Sequence, residues 1–492
     1  MSVLAIDAGT TGITAIVVTE QGEVAARAYQ EFPQHFPRPG WVEHAPEEIW
    51  QGALAAAGDA LAANQGPPVS ALGITNQRET VAVWDRETLS SPRRAIVWQD
   101  RRSAGICDRL RREGHEQEIS QVTGLRLDPY FSATKLAWLA EHEPTTWAGV
   151  ADGRYAVGTV DSYLVTRLTR GARHVTDVSN ASRTLLFDLA AGEWNGPMCE
   201  LFGVPSAALP EVVPSWGELA ATDPTAFLGL ELPVAGMAGD QQSALFGQTC
   251  FAPGETKCTY GTGSFVLVNT GADIVRSDAG LLSTAAWRSP EGQTTYALEG
   301  AIFVTGAAVQ WLRDGIQIVG SAAETAAVAG TVEDSGGVVF VPALTGLGAP
   351  DWDPRARGLI AGISRGTTRA HLVRATLEAI AFEVRDVVDT LPGRLELGCL
   401  TVDGGASAND LLCQIQADQL GVPVERPKAV ETTAMGAAFL AGLGSGVWDS
   451  TDQLRQTWAL DRRFEPAVDR ASADAAHQRW RDAVERAKGW AI

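Results

Sequence analysis

The chain has 492 residues, more than one ordinary hydrophobic core accommodates, so we expect two to four domains. Hydrophobic residues make up 45% and charged residues 20% of the chain, a balance typical of globular proteins and not of disordered ones. The 39 Lys and Arg against 59 Asp and Glu give a formal net charge of -20, which repels phosphate backbones and anionic membrane surfaces; nucleic acid is therefore not an expected partner.

Signals for membrane insertion, export and structural zinc are not found in the sequence. No apolar run reaches the roughly 18 residues that span a bilayer, and Asp7 interrupts the apolar N-terminal stretch. The six cysteines are scattered, without the C-x-x-C spacing of a zinc site, which indicates reduced thiols. We expect a cytoplasmic protein without membrane insertion.

The N-terminal stretch VLAIDAGTTGITAIVV (residues 3–18) predicts two β-strands joined by a tight turn rich in Gly and Thr. Such a turn brings backbone N–H groups close to an anion because Gly lacks a Cβ atom. The pattern recurs as TKCTYGTGSFVLVNT (residues 256–270). Two interpretations stay open here: both stretches are ordinary hairpins, or each one opens one of two related halves.

The segments between and after these hairpins indicate an α/β chain. Small residues around an Asp in PVAGMAGDQQSALFGQ (residues 233–248) precede the second hairpin, which predicts two domains, 1–249 and 250–492. A helical pattern runs from residue 371 until Gly393 ends it. A third turn follows the strand at residue 402 and leads into a helix that opens near Ser407 or Asn409.

Other nucleotide-binding motifs are absent from the sequence. There is no G-x-x-x-x-G-K-[ST] loop, no G-x-G-x-x-G after a strand and no H-R-D catalytic loop. The three turns together resemble the duplicated ATP-binding architecture of sugar kinases, hexokinase, actin and the seventy-kilodalton heat-shock proteins. This resemblance implies an α/β fold of two actin/hexokinase-like (ribonuclease H-like) domains with an active-site cleft between them.

Longer stretches make the resemblance more specific, and it extends from residue 3 to about residue 465. Those stretches are GWVEHAPEEIW (40–50), GITNQRET (73–80), AIVWQDRR (95–102), DPYFSATKLAWL (128–139), VTDVSNASRT (175–184), AGDQQSALFGQ (238–248) and ALEGAIFVTGAAVQWLRD (297–314). In this order they resemble the glycerol kinases of the FGGY carbohydrate kinase family. The resemblance implies transfer of a phosphoryl group from ATP to glycerol with Mg2+, and a homo-oligomer, either a dimer or a tetramer.

The resemblance also implies roles for individual residues. Asp240 matches the family's general base, which takes the proton of a hydroxyl group too weakly acidic to ionise by itself. An Asp among small residues is also compatible with capping the helix that follows, but its place within the family motif favours the general base. The residues that match glycerol contacts are Arg78, Glu79, Trp98, Tyr130, Asp240, Gln241 and Phe265.

A second group matches the metal and nucleotide contacts of the family. Asp7 and Asp240 are expected to hold Mg2+, which favours carboxylate oxygens and keeps part of its hydration shell. The residues that match nucleotide contacts are Thr10, Thr11, Gly12, Thr262, Gly306, Gln310, Gly405 and Asn409.

The first turn departs from the family pattern. Glycerol kinases usually have D-Q-G-T-T-S-S-R here, with the Arg on the phosphates, whereas this chain has Ala8 for Gln, Gly12 for Ser and Thr14 for Arg. A cation on a transferring phosphoryl group is commonly worth several kcal/mol. Three explanations compete: Mg2+, the turn amides and threonines suffice; another cation such as Lys257 or Arg365 reaches the phosphates; or the chain binds glycerol without efficient transfer.

Retention of both site aspartates and of the glycerol-contacting set favours an active kinase. The alternative substrate within the same enzyme class is another polyol or a ketose such as xylulose. A larger sugar would need a different wall where Arg78, Glu79, Trp98 and Tyr130 match glycerol kinases.

Overall fold

The computed structural model describes residues 1–393 and 395–491, in which strands and helices alternate around two central sheets. The β-strands are β1 (Ser2–Ala8), β2 (Gly12–Thr19), β3 (Val24–Glu31), β4 (Glu43–His44), β5 (Val69–Asn76), β6 (Ala82–Asp85), β7 (Ala95–Ile96), β8 (Tyr155–Gly158), β9 (Val175–Asp177), β10 (Phe187–Asp188), β11 (Glu193–Trp194), β12 (Glu211–Val213), β13 (Trp216–Ala221), β14 (Pro233–Gly239), β15 (Thr256–Tyr260), β16 (Ser264–Gly271), β17 (Leu282–Arg288), β18 (Thr294–Ile302), β19 (Val339–Val341), β20 (Leu359–Ala361), β21 (Leu400–Asp403), β22 (Val424–Pro427) and β23 (Leu460–Phe464).

The helices are α1 (Pro46–Ala63), α2 (Ala104–Arg112), α3 (Glu116–Thr123), α4 (Ser132–His142), α5 (Pro144–Ala151), α6 (Val160–Leu168), α7 (Val178–Ala181), α8 (Gly196–Leu201), α9 (Asp240–Gly247), α10 (Gly306–Gln310), α11 (Glu324–Ala329), α12 (Arg369–Val388), α13 (Asp410–Leu420), α14 (Thr432–Gly444), α15 (Thr451–Thr457) and α16 (Arg470–Ala487). Short 3-10 turns occupy Ser206–Ala208 and Gly405–Ala408, and a π-helical turn occupies Trp311–Gly315. None of the described helices combines the length and the apolar character needed to traverse a bilayer.

The two central sheets repeat one strand arrangement. The first has the order β13-β14-β5-β1-β2-β3 and the second β17-β18-β16-β15-β21-β22-β23. In the first sheet β3, β2 and β1 are joined antiparallel, and β1, β5 and β14 are joined parallel. The strands β18, β16, β15, β21 and β22 repeat that sequence of pairings in the second sheet. The prediction of a duplicated α/β fold is confirmed, and the two hairpins predicted from the Gly-Thr turns open the two halves.

Each face of the first sheet packs against a different half of the chain. Alternation along β1 and β2 sends Leu4 and Ile6 toward α1, whereas Val3 and Ala5 pack with Ala438 and neighbouring residues of α14. Helix α14 belongs to the second half and is buried on nearly all sides, as its apolar sequence TTAMGAAFLAGLG requires. The first sheet is therefore covered on one face by a helix of the second half.

Close contact between α9 and α14 depends on a residue without a side chain. A Cβ atom on Gly436 of α14 would lie only 1.8 Å from the carbonyl oxygen of Ser243 in α9. Carbonyl oxygens of a helix are fixed by its hydrogen bonds, so that contact is not relieved by a rotamer change. Gly436 thus sets the distance between α14 and the helix that begins at Asp240.

We expect Gly436→Ala to lower the free energy of unfolding by roughly 1–3 kcal/mol, because overpacking outweighs the better helix propensity of Ala. The measurement is urea unfolding followed by circular dichroism. Gly105→Ala is the matched control, since Gly105 lies in α2 with no atom within 4 Å of its Cβ position. Ala there is expected to be neutral or to stabilise by up to about 1 kcal/mol. Equal effects of both substitutions would contradict the close packing of α9 and α14.

Candidate active site

Three neighbouring strands bring the polar residues of the site to one edge of the first sheet. Strands β1, β5 and β14 are parallel, so their carboxyl ends lie side by side. Asp7 lies near the end of β1, Arg78 and Glu79 follow β5, and Asp240 follows β14. Ligands of open α/β sheets commonly bind at such an edge.

Arg78 is 1% exposed and lies at the centre of this edge. Its Nη1 and Nη2 atoms donate to the two carboxylate oxygens of Glu299 at 2.5 and 3.1 Å. Its Nε atom lies 3.1 Å from Oδ1 of Asp240, and Nη2 donates to the Tyr130 hydroxyl at 3.3 Å. Because Glu299 lies on β18, the pairing partner of Arg78 comes from the second half of the chain.

A second buried arginine closes a ring of alternating charges. Arg183 donates from Nη2 to Glu299 at 2.8 Å and from Nε to Glu79 at 2.7 Å. Burial alone raises the pKa of Glu299, but Arg183 and Arg78 overcome it and hold that pKa at about 2. For Glu79, burial raises the pKa and outweighs the opposing effect of the two arginines. The ring of Arg78, Glu299, Arg183 and Glu79 buries two positive and two negative groups together.

Aromatic side chains line the other side of this polar corner. The Trp98 ring lies edge-on to Tyr130 and Phe265, with ring centroids 5.6 and 6.5 Å away. The Trp98 Nε1–H donates to Oγ1 of Thr10 at 2.9 Å, which connects this wall to the turn after β1. Phe265 lies on β16 of the second half, and its ring centroid is 5.7 Å from the Arg78 guanidinium. All of the residues predicted to contact glycerol therefore surround one corner of the cleft.

Asp240 is the first residue of α9, and the residue at the N-cap position is Gly239. The interpretation of Asp240 as the helix cap is therefore wrong: its carboxylate accepts the adjacent N–H of Gln241 at 2.7 Å and pairs with Arg78, and α9 has no side-chain cap hydrogen bond at its N-terminus. The Asp240 side chain is 26% exposed. Burial raises the pKa of Asp240, although Arg78 and Lys257 act in the opposite direction.

Lys257, one of the two cations considered for the phosphates, lies in this site. Its ammonium group donates to Oε1 of Gln241 at 2.6 Å and to Oγ1 of Thr259 at 2.8 Å. It is fully buried, and burial lowers the pKa of its ammonium group. The other candidate, Arg365, lies exposed in the segment after β20.

Asp7 has the features of a cation ligand. Its Oδ1 atom is buried without a hydrogen-bond partner among residues 1–393 and 395–491. Burial raises the pKa of Asp7, and the nearby carboxylates of Asp240 and Glu431 raise it further. No cluster of three or more His, Cys, Asp or Glu in these ranges forms a metal site by itself. Two carboxylates completed by phosphate oxygens and water match the way in which Mg2+ is usually bound.

A cavity of about 470 Å³ lies in the second half, beside the turn between β15 and β16. Its lining includes every residue predicted there for the nucleotide: Thr262, Gly306, Gln310, Gly405 and Asn409. Asn409 caps α13 by accepting the Leu412 N–H at 3.1 Å, as the sequence predicted for a helix opening at this point. Thr10 and Thr11 lie on the turn between β1 and β2, Gly12 begins β2, and none of the three lines this cavity.

Three further residues of the site were not predicted from the sequence: Arg183, Glu299 and Gln242, whose side-chain oxygen accepts a hydrogen bond from Arg78 at 3.1 Å. One signal was available. Glu299 is the single charged residue of the strand TTYALEGAI, where an apolar side chain would be expected. A lone carboxylate in a buried strand indicates a buried cationic partner.

Known proteins that resemble this chain belong to one family. Residues 2–247 match the N-terminal domain of the FGGY family of carbohydrate kinases, and residues 256–445 match the C-terminal domain of that family. A glycerol kinase from Aromatoleum aromaticum is 54% identical over 491 residues, 99% of each chain. Glycerol kinase 2 of Thermotoga maritima is 50% identical over 492 residues, also 99% of each chain.

Solved structures give the same result. The crystal structure of Plasmodium falciparum glycerol kinase with ADP superposes with a TM-score of 0.90 at 34% identity, covering 99% of this chain and 98% of that one. A xylulose kinase from Rhodospirillum rubrum superposes with a TM-score of 0.83 at 26% identity, covering 98% of this chain and 97% of that one.

The charge ring predicts a pH-dependent effect of Glu299→Gln. Near pH 7 the substitution leaves two buried arginines short of one negative charge, and we expect it to cost about 3 kcal/mol of unfolding free energy. Because the pKa of Glu299 is lower in the folded protein than in the unfolded chain, its ionised carboxylate stabilises the fold at pH values above 4.5, the pKa of the unfolded chain. This stabilisation is lost as the pH falls toward about 2, the pKa of Glu299 in the folded protein. The difference between wild type and variant should therefore shrink between these pH values.

Urea unfolding at several pH values measures this difference. Glu141→Gln is the matched control, because Glu141 pairs with Arg109 at the surface, where both side chains are about 40% exposed. It should cost less than about 1 kcal/mol at every pH. A Glu299→Gln effect as small as this control would contradict the charge ring.

Proposed function

The chain belongs to the FGGY family of carbohydrate kinases, and we propose that it transfers the γ-phosphoryl group of ATP to glycerol, giving ADP and sn-glycerol 3-phosphate. The observation that carries this proposal is the contact of Arg78 with both the Asp240 carboxylate and the Tyr130 hydroxyl, beside the aromatic rings of Trp98 and Phe265. The glycerol kinases that match nearly the full chain support the same activity.

Glycerol needs hydrogen-bonding groups for three hydroxyls and an apolar surface for its carbon chain. In the proposed complex Arg78 donates to hydroxyl oxygens, Glu79 accepts from a hydroxyl, and Tyr130 contributes a further hydroxyl contact. Trp98 and Phe265 cover the carbon chain, while Gln241, held by Lys257, lies beside the reacting end. Phe265 is contributed by the second half, so the pocket is complete only when both halves are in place.

Asp240 acts as the general base in this proposal. As a primary hydroxyl oxygen of glycerol forms its bond to the γ-phosphorus, the bond from that phosphorus to the bridging oxygen of ADP breaks, and the hydroxyl proton passes to the Asp240 carboxylate. Burial raises the pKa of Asp240 and so makes its carboxylate a better proton acceptor. Exclusion of water by the two halves prevents hydrolysis of ATP.

The nucleotide is proposed to bridge the cleft. Thr10, Thr11 and Gly12 hold phosphates from the first half and Thr262 from the second, while the other cavity residues surround the nucleoside: Gly306, Gln310, Gly405 and Asn409. Asp7 and Asp240 would hold Mg2+, which when bound neutralises charge on the phosphates. The domain boundary near residue 249, the homo-oligomer and the cytoplasmic location stay predictions.

Asp240→Asn should abolish glycerol-dependent ADP release, because loss of a general base typically costs about 10²–10⁴-fold in kcat. The assay couples ADP formation to a dye-linked or NADH-linked readout, with MgATP and with or without glycerol. Calorimetry should still detect glycerol binding to the variant, since Asn keeps the size of the side chain. Asp108→Asn, at an exposed position of α2, is the control and should retain full activity.

Turnover within about threefold of wild type in Asp240→Asn would contradict the assignment of the base. Absence of glycerol-dependent turnover in wild type, with glycerol binding intact, would instead establish a binding protein without efficient transfer.

The walls of the pocket also predict its substrate. Trp98 and Phe265 lie beside Arg78, and we expect a five-carbon ketose to need one of these rings displaced before a hydroxyl reaches Asp240. We expect kcat/KM for glycerol to exceed that for xylulose at least about a hundredfold. Steady-state kinetics with both substrates checks this ratio, and a ratio near one would favour a broader polyol or ketose kinase.

A further inference from the structure

The turn after β1 is completed by a side chain from another strand. A Cβ atom on Gly12 would lie 2.5 Å from the hydroxyl oxygen of Tyr29, 2.6 Å from its Cζ and 2.7 Å from the carbonyl oxygen of Gln30. The phenol end of Tyr29, on β3, therefore occupies the space in which a side chain at position 12 would begin. Gly12 carries no hydroxyl, and Tyr29 brings one to that place.

The strand register puts Tyr29 on the same face of the sheet as Asp7. Asp7 pairs with Thr14 across β1 and β2, and Thr14 pairs with Tyr29 across β2 and β3. Directly paired residues project from the same face of a sheet, so these three side chains form one row. The alternate residues of β3, Ala26 and Ala28, pack on the opposite face against α1.

A neighbouring contact independently orients this face. Arg27 lies two residues before Tyr29 and thus on the same face of β3. Its Nε atom donates to Oε1 of Glu431 at 2.7 Å, and Glu431 immediately precedes α14 of the second half. The row containing Tyr29 therefore lies on the face of the sheet that is turned toward the second half.

The Tyr29 hydroxyl is available to a ligand. The residue is 46% exposed, and its hydroxyl makes no hydrogen bond with any part of the chain that the structure describes. Thr14, directly opposite, is short and buried, and it leaves the ring room to lie over the turn. An arginine at position 14 would start from the same face beside the ring and compete with it for this space.

We propose that Tyr29 is a nucleotide-binding residue whose hydroxyl donates a hydrogen bond to a phosphate oxygen of ATP held at the turn. A phosphate oxygen is a strong acceptor, and a phenol hydroxyl is a suitable donor. In this arrangement Tyr29 of β3 supplies the hydroxyl that Gly12 lacks, and the short side chain of Thr14 leaves room for the Tyr29 ring. The inference rests on the proposed function, because it needs a nucleotide phosphate at this turn.

Tyr29→Phe tests the hydroxyl alone, because the ring and its packing are kept. A hydrogen bond to a charged group accounts for about tenfold or more in affinity, so the Kd of the variant for a Mg2+-bound, non-hydrolysable ATP analogue should rise at least about tenfold by calorimetry. KM for MgATP should rise with it, while KM for glycerol should stay within about twofold. The control is Tyr155→Phe, on β8 and outside the cleft, which should change neither value.

Each outcome decides the proposal. An unchanged Kd for the analogue, or an equal loss of nucleotide and glycerol affinity, would overturn the role of Tyr29. Wild-type protein that binds the analogue without phosphorylating glycerol would refute the proposed function, while calorimetry on Tyr29→Phe still decides the contact. Wild-type protein that does not bind the analogue would overturn both.

Discussion

The buried guanidinium of Arg78 is the group on which the cleft depends. A buried charge costs several kcal/mol unless it is paired, and the pair that compensates Arg78 most directly is Glu299, 221 residues away on the other half. Arg183 shares that carboxylate and connects it back to Glu79. The arginine proposed to recognise glycerol is thus held in place only when the two halves of the chain are assembled.

The position of the proposed base also depends on both halves of the chain, because helices of each half pack against the other. Asp240 opens α9 directly after a strand of the first sheet, whereas α9 itself packs on α14 and on strands of the second sheet. Helix α14 in turn covers the first sheet. The absence of a side chain at Gly436 allows this close packing, so the position of the carboxylate follows from contacts made on both sides of the cleft. A rotation of one half against the other would therefore change the distances between the base, the aromatic wall and the phosphate turns.

Much of this arrangement was predictable from local patterns in the sequence. The two hairpins, the Gly-Thr turns and the helix capped by Asn409 follow from residues close together in the chain, and they were predictable. Pairings between distant residues were not: nothing near Arg78 indicates that Glu299 and Arg183 share its pocket, although a lone Glu in an apolar strand was a usable signal. The relation of Tyr29 to Gly12 needs the register of β2 on β3, which no local pattern supplies.

A double-mutant cycle on glycerol affinity tests the dependence of the pocket on the charge ring most directly. The Kd of glycerol is measured by calorimetry for wild type, Arg183→Gln, Glu299→Gln and the double variant. Removing Glu299 alone leaves an excess of buried positive charge that removing Arg183 as well relieves, so the double variant should bind glycerol at least about fivefold more tightly than the two single losses would give if they were additive. Additive losses would contradict the view that these groups hold Arg78 as one unit.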